Sequence, residues 1–379
     1  MSINQVVTDF ATLAIKNDGF MEMDRLYIQN RVLALIGTKY FVPCVPRENL
    51  PSANALVEKL VEEALENKLI ENQSKDKEVL SSKLMDLLTP PTSVINALFS
   101  KIYTKSPEDA THYFYHLCCQ NASVKSVTES VAPIEWKQDN AYPKCPVCFT
   151  NEGYIGNEQL PAKVQHRMIR MNLEGSSWGF YYKEHPQFLE HCLFVAEKHQ
   201  PLDMKQKTLD QLLQIVEIFP HYFAGAFAFS ENPNPKSSLS HAHFEGGKRG
   251  LPIEKTTFET LFSLKKYPKI IAGILKWPVS AVRMQGENRK ELASALMLLL
   301  KKCHKQKLIV LPVARKNHNF FEVDCFILKA CDNLELPIYY QDKQWLLRNP
   351  CEIDEAKHIS AFDQSTQGKV QFKAFCESL

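Results

Sequence analysis

Residues 240–247 read Ser-His-Ala-His-Phe-Glu-Gly-Gly, and the reading of this octapeptide decides what kind of fold has to surround it. Drawn out as a strand, its alternation sends His241 and His243 to one side and turns Ala242 away from the pair. Two imidazoles there can divide labour between a metal and a substrate. Gly246 and Gly247 let the backbone approach a ligand closely, with amides able to face an anion. Lys248, Arg249 and Lys255 follow and would attract phosphate. Ser240, Gly246, Gly247, Lys248 and Arg249 are therefore candidate substrate contacts. The competing reading is a polar strand end with a glycine turn and a solvated basic face.

Moving outward, Phe188–Val195 and Leu308–Val313 look like strands, and Leu209–Ile218 and Arg289–Cys303 look like helices. They mix without the regular alternation of a doubly wound sheet, so the expected class is α+β with an antiparallel sheet. Residues up to about Ser123 read as helical. Val6, Phe10 and Leu13–Ala14 fall on one helical face, and Leu56, Leu60 and Ala64 repeat the pattern, with Val61 and Leu65 beside them. Gly37 is a plausible helix stop. Ser106-Pro107-Glu108-Asp109 is a helix start, with a capping hydroxyl, a first-turn proline and acids against the helix dipole. Pro90-Pro91 breaks the segment before it. The character changes near Pro133–Pro143. The expected division is a helical region over 1–125, a linker over 126–143, a catalytic α+β domain over 144–330 and a divergent segment over 331–379.

Composition narrows the classes. A chain of 379 residues with 45% hydrophobic content can bury a sizeable core, and its length suits roughly two or three domains. Charged residues make up 23% and the net charge is +2, which gives no broad nucleic-acid or membrane footprint. The apolar runs Ile270–Leu275 and Leu296–Leu300 are far shorter than the ~20 residues a bilayer needs. The first ten residues lack the basic start and apolar stretch of a secretory signal. The 11 cysteines are scattered and odd in number, so reduced thiols in the cytoplasm are expected.

The second polar feature is Cys145-Pro146-Val147-Cys148. Two thiolates at this spacing can grip one zinc, which takes four N or S ligands in a tetrahedron. A redox pair and buried unliganded thiols are the alternatives, though no βαβ pattern surrounds the motif as a thioredoxin-like pair would require.

Tyr142-Pro-Lys-Cys-Pro-Val-Cys148 with Asn151-Glu-Gly-Tyr154 and Gly156 resembles the YPKCxLCxxNEGYxG signature of the Gram-positive class of galactose-1-phosphate uridylyltransferases. His166-Arg167-Met-Ile169 is similar to its NHRII segment, Tyr181-Tyr182-Lys-Glu184-His185 to its YYNEHC run and Glu197-Lys-His199 to its EHxPM stretch. Phe219-Pro-His221-Tyr222-Phe223 resembles FPHYF, residues 240–247 resemble SHDHFQGG, and Pro252-Ile-Glu-Lys255 resembles PMEKA. Trp277-Pro278 with Arg283, and Pro312 through Lys316, continue the match in order to about Asp324.

The resemblance implies a histidine-triad-like antiparallel sheet with packed helices and a ping-pong reaction. A histidine takes UMP from UDP-glucose and passes it to galactose-1-phosphate. The second histidine of the HxH pair, here His243, would be the nucleophile. Cys145, Cys148, His199 and His241 would be zinc ligands, and Asn151 would touch the uridine. His166, His185 and His221 would be structural or would stand behind the reacting groups, rather than catalytic. The implied partners are small molecules, with no nucleic acid and no membrane; a homodimer is the expected assembly if there is one.

Three departures bear on activity. The pattern's HDHFQGG is HAHFEGG here, so an amide donor becomes Glu245, which accepts only when ionised. Losing one oxyanion donor typically costs about 2.7–4 kcal/mol in the barrier. The two glycines expected before the histidines are replaced by Asn234-Pro235-Lys236. The link before Tyr142 is short, and the region after about Pro337 lacks the pattern's hexose-side motifs. Two other functions therefore stand beside transfer to galactose-1-phosphate: a nucleotide-sugar hydrolase or transferase with another acceptor, and a non-catalytic nucleotide-sugar-binding relative.

Overall fold

Six helices are built from the amphipathic runs of the first third of the chain: α1 (Ile3–Lys16), α2 (Arg25–Ile36), α3 (Ala53–Glu66), α4 (Ser74–Leu88), α5 (Thr92–Tyr103) and α6 (Pro107–Gln120). They are seen in a computed structural model that describes residues 2–120, 142–156, 160, 162–226, 241–329 and 360–379. The Ser2 hydroxyl caps α1 by accepting from the Gln5 amide. Val6, Phe10 and Ala14, one per turn, are fully buried and share a core with Leu56, Leu60 and Ala64 of α3 and Leu80, Leu84 and Leu88 of α4. Burying one such leucine is worth about 1.5–3 kcal/mol. Gly37 ends α2 with φ 73, a left-handed backbone that a residue without Cβ adopts at no steric cost. Ser106 Oγ accepts from the Asp109 amide at 3.1 Å, so α6 begins where its capping chemistry says it should.

The described residues fall into two compact units, one of residues up to 120 with 142–170 and 179–186, the other of 171–178 with 187–226, 241–329 and 360–379. In the first, Phe180 packs with Phe99 and Phe114 at ring distances of 6.3 and 5.6 Å, and the Tyr182 hydroxyl donates to Thr111 O at 2.9 Å.

The strands are β1 (Ile169–Leu173), β2 (Ser176–Tyr182), β3 (Cys192–Ala196), β4 (Tyr222–Gly225), β5 (His243–Lys248), β6 (Phe258–Phe262), β7 (Ile271–Leu275), β8 (Ala281–Gly286), β9 (Leu308–Asn317) and β10 (Phe320–Lys329). They form one ten-stranded sheet in the order β1-β2-β3-β5-β4-β9-β10-β8-β7-β6. The long hairpin β9–β10 pairs Leu308 with Lys329 through Asn317 with Phe320, antiparallel. Helices α7 (Gln206–Ile218) and α8 (Arg289–Lys305) pack on one another and on β9, and α9 (Thr366–Glu377) follows near the end of the chain. This is the α+β arrangement with an antiparallel sheet and packed helices expected from the sequence.

The strand expected over Phe188–Val195 starts later, at Cys192. Glu190 has φ 54, and the His191 amide closes a turn onto Phe188 O at 3.2 Å. A left-handed residue cannot sit in a pleated strand, so the apolar pattern runs further than the extended backbone. No helix among the described residues is long and apolar enough to cross a membrane.

Candidate active site

β5 carries the octapeptide into the sheet between β3 and β4, pairing His243 with Val195 and Glu245 with both Leu193 and Gly225. Flanked on both sides, the strand cannot shift register without moving its neighbours, so its side chains are held in place. A Cβ at Gly246 would lie 2.6 Å from Phe223 O and 2.9 Å from the Phe194 ring, and one at Gly247 would lie 2.6 Å from the Phe188 ring. Close packing of these neighbours accounts for both glycines. Phe244, on the opposite face, stacks on Trp178 with centroids 5.2 Å apart.

His243 opens the strand, buried at 4% exposure. Its Nδ1 lies 2.7 Å from His241 O. A carbonyl only accepts, so Nδ1 carries the proton and the neutral ring's lone pair is on Nε2. His241 lies in the bend just before the strand, fully buried, with Nε2 2.7 Å from Ala196 O. By the same logic Nε2 donates and Nδ1 has the lone pair. The His199 ring stands 4.7 Å from that of His241.

Cys145 and Cys148 are buried with their sulfurs 3.3 Å apart. Asn151, expected at the uridine, is fully buried beneath this loop, and its Nδ2 donates to Cys145 O at 2.8 Å and Cys148 O at 3.0 Å. The Cys145 thiol is pushed up, first by its hydrogen bond with Cys148 and then by burial; a bound dication would reverse that direction by stabilising thiolate. Cys145 and Cys148 offer two sulfurs from one unit, and His199 and His241 two ring nitrogens from the other, the donor types that can hold a metal ion.

Glu245 does not stand alone on its strand. Its Oε2 is 2.9 Å from His191 Nε2, a partner that sequence reasoning missed. His191 is one of the few polar residues in the run Phe188–Ala196, and that was the available signal. The cations expected at phosphate are engaged by acids: Lys248 lies 3.4 Å from Glu190, and Arg249 bonds Glu254 at 3.1 Å and donates to Lys316 O. Glu190 also accepts from the Tyr222 hydroxyl at 2.5 Å. Of the three histidines expected to be structural, His166 packs against the Tyr181 ring at 4.3 Å and His221 against Tyr222 at 4.5 Å; His185 lies 3.9 Å from Glu184. Ser240, Asn234–Lys236, the linker up to residue 141 and residues 330–359 lie outside the described residues.

A family model described as the N-terminal domain of galactose-1-phosphate uridyl transferase matches residues 18–142. The chain is 34% identical over 368 residues to the galactose-1-phosphate uridylyltransferase of Enterococcus faecalis, spanning 84% of this chain and 73% of that one. It is 32% identical over 373 residues to the enzyme of the same name from Streptococcus mutans, spanning 86% and 75%. Among solved structures, a yeast Ap4A phosphorylase in complex with AMP overlays with a TM-score of 0.40 at 13% identity, over 69% of this chain and 98% of that one, a likeness too slight to argue from.

Proposed function

The chain belongs to the galactose-1-phosphate uridylyltransferase family, and from that premise we propose that His243 is the residue on which UMP travels between two sugar phosphates. The reaction is transfer of UMP from UDP-glucose to galactose-1-phosphate, the work of an enzyme of galactose metabolism. The observation that carries the assignment of His243 is its hydrogen bond to His241 O, which leaves the lone pair on Nε2.

Nε2 attacks the α-phosphorus of UDP-glucose. An N–P bond forms, the bond to the bridging oxygen breaks, and glucose-1-phosphate leaves. A phosphate oxygen of galactose-1-phosphate then attacks the same phosphorus, the N–P bond breaks, and UDP-galactose departs with His243 restored. Covalent catalysis divides one difficult displacement into two easier ones. The ring becomes positive when Nε2 bonds phosphorus, and the short bond from Nδ1 to a carbonyl stabilises that charge.

Two thiolates and two imidazoles are the donor set of a closed structural zinc site, and zinc is the ion we assign to Cys145, Cys148, His199 and His241. Zinc held by these four residues would supply an anchor rather than a reacting group.

Mass spectrometry after treatment with UDP-glucose tests the reading. A uridylyl group is expected on the peptide containing His243, and His243→Gly is expected to lose it while circular dichroism shows the fold intact. Labelling that persists in the variant would remove His243 from the role. Product analysis with galactose-1-phosphate should give UDP-galactose.

A further inference from the structure

Glu245 is two residues beyond His243 on the same strand, so the pleat sets both side chains on one face of the sheet, with Cα atoms about 6.6 Å apart. A group bonded to His243 is thus presented to the side chain of residue 245. What Glu245 can do there depends on His191, whose state is fixed by its surroundings. The Gln187 amide points at His191 Nδ1 at 3.2 Å. An amide only donates, so Nδ1 accepts, and the neutral ring's proton sits on Nε2. That proton is directed at Glu245 Oε2 over 2.9 Å. The His191 ring is clamped against Phe188, with centroids 4.0 Å apart and planes at 29°. The carboxyl is therefore held by a donor that cannot rotate away.

Exposure separates the two partners. The His191 side chain is 0% exposed and Glu245 keeps 15%. Water reaches the carboxylate and does not reach the imidazole. The other groups nearby do not compete for that role. The carboxyl of Glu190 is taken by Tyr222 and Lys248, and burial first, then the charges of Glu190 and Glu245, hold the Cys192 thiol well above its ordinary range, so it stays neutral.

We infer that Glu245, aimed by His191, is a water-activating base, and that this chain consequently also hydrolyses the nucleotide sugar that charges it, releasing UMP when no sugar phosphate takes the nucleotide. The inference rests on the uridylyl-His243 reading above. Water attacks the phosphorus of the charged histidine, its proton passes to the Glu245 carboxylate, an O–P bond forms and the N–P bond breaks. UMP leaves, His243 is regenerated, and Glu245 returns its proton to solvent. His191 touches neither water nor nucleotide; it is a positioning residue.

The test starts from protein charged with radiolabelled UDP-glucose and freed of excess substrate. Decay of the label in buffer reads hydrolysis, and decay after adding galactose-1-phosphate reads transfer. General base catalysis typically contributes 10²- to 10⁴-fold, so Glu245→Gln should slow decay in buffer by at least about tenfold and lower the ratio of UMP to UDP-galactose. His191→Phe should lower that ratio too, whereas His191→Gln, which retains an N–H donor at the same reach, should restore most of it. Rescue by the glutamine variant is a result that mere loss of packing would not give. Should Glu245→Gln fail to charge, the His191 pair supplies the comparison in the presence of the native carboxylate. A charged wild type that discharges only to galactose-1-phosphate, or variants that decay in buffer at the wild-type rate, would overturn the inference while leaving the transferase reading intact. A wild type that never charges would overturn both.

Discussion

His241 donates its Nε2–H to the carbonyl oxygen of Ala196 at 2.7 Å, and this one bond decides which ring nitrogen can serve a metal. With the proton held on Nε2, the lone pair lies on Nδ1, and the ring cannot present the other nitrogen without leaving its carbonyl buried and unbonded. Elemental analysis of the purified protein should find one zinc per chain. Cys148→Ser should abolish stoichiometric binding. Asn151→Ala, which removes both bonds bracing the loop, should weaken zinc affinity by about 10- to 100-fold, the usual effect of losing a partner behind the ligands. A metal-free protein of unchanged thermal stability would contradict this.

A second prediction concerns charge buried in the sheet. Asp324, fully buried on β10, accepts from Arg283 Nε at 2.6 Å and Nη2 at 3.1 Å, and from Arg315 Nη1 at 2.6 Å. Glu322 stands 2.7 Å from Arg315 Nη2, and Arg283 also donates to Ile253 O and Thr256 O. Two guanidiniums and two carboxylates balance. Asp324→Ala leaves two buried cations facing each other with one acid, and removing one partner of a buried pair costs about 3–5 kcal/mol. Urea denaturation should show a loss of that size, or no soluble protein. A shift under about 1 kcal/mol, the ordinary size of a surface pair, would show that the network is wet.

Gly246→Ala supplies a third. The new methyl would meet Phe223 O on the adjacent strand at 2.6 Å. A backbone carbonyl in a ladder cannot swing aside as a side chain can, so β5 must move. Overpacking of this kind costs about 1–3 kcal/mol. Because β5 bears His243 and Glu245, charging with UDP-glucose should fall along with stability. Unchanged thermal stability and charging would mean that the strand tolerates the shift.

The parts legible in the sequence were those whose cause is local. Val6, Phe10 and Ala14 mark a buried helical face by spacing alone, and Ser106 and Gly37 set helix ends through chemistry confined to a few residues. The short bond from His243 Nδ1 to His241 O is local as well, joining residues two apart in the octapeptide. The pairing of Glu245 with His191 spans 54 positions and depends on the register of β5 against β3, which no short motif records. The acids that meet Lys248 and Arg249, Glu190 and Glu254, reach them through the turns around β5, contacts that the basic run alone does not record. The late start of β3 came from the left-handed Glu190 inside an otherwise strand-like run.

The fourth prediction is a pH dependence of stability set by His166. Burial first, then the positive charges of Lys163, Arg167 and Arg170, hold this imidazole well below its ordinary range. Arg167 is itself fixed nearby, donating to Pro90 O at 3.0 Å and to Asp86 at 3.1 Å, so the positive surroundings do not relax away. The unfolded chain has no such surroundings, and its His166 titrates near 6.5. Below that pH the unfolded state takes up a proton that the folded state refuses. Stability rises with pH wherever the unfolded state binds more protons. The contribution of His166 is thus absent above about pH 7, and its destabilising effect grows as the pH falls from about 6.5 toward the depressed folded value. Replacing it with a residue that cannot titrate should flatten that part of the curve. His166→Phe tests this while keeping a flat ring against Tyr181, whose own ring lies 4.3 Å away. The stability difference between wild type and variant, measured by urea denaturation at steps from pH 8 to pH 5, should be constant at the alkaline end. It should then move in favour of the variant as the solution becomes acid. A difference that stays constant across the whole range would mean that His166 protonates as readily in the folded protein as in the unfolded chain.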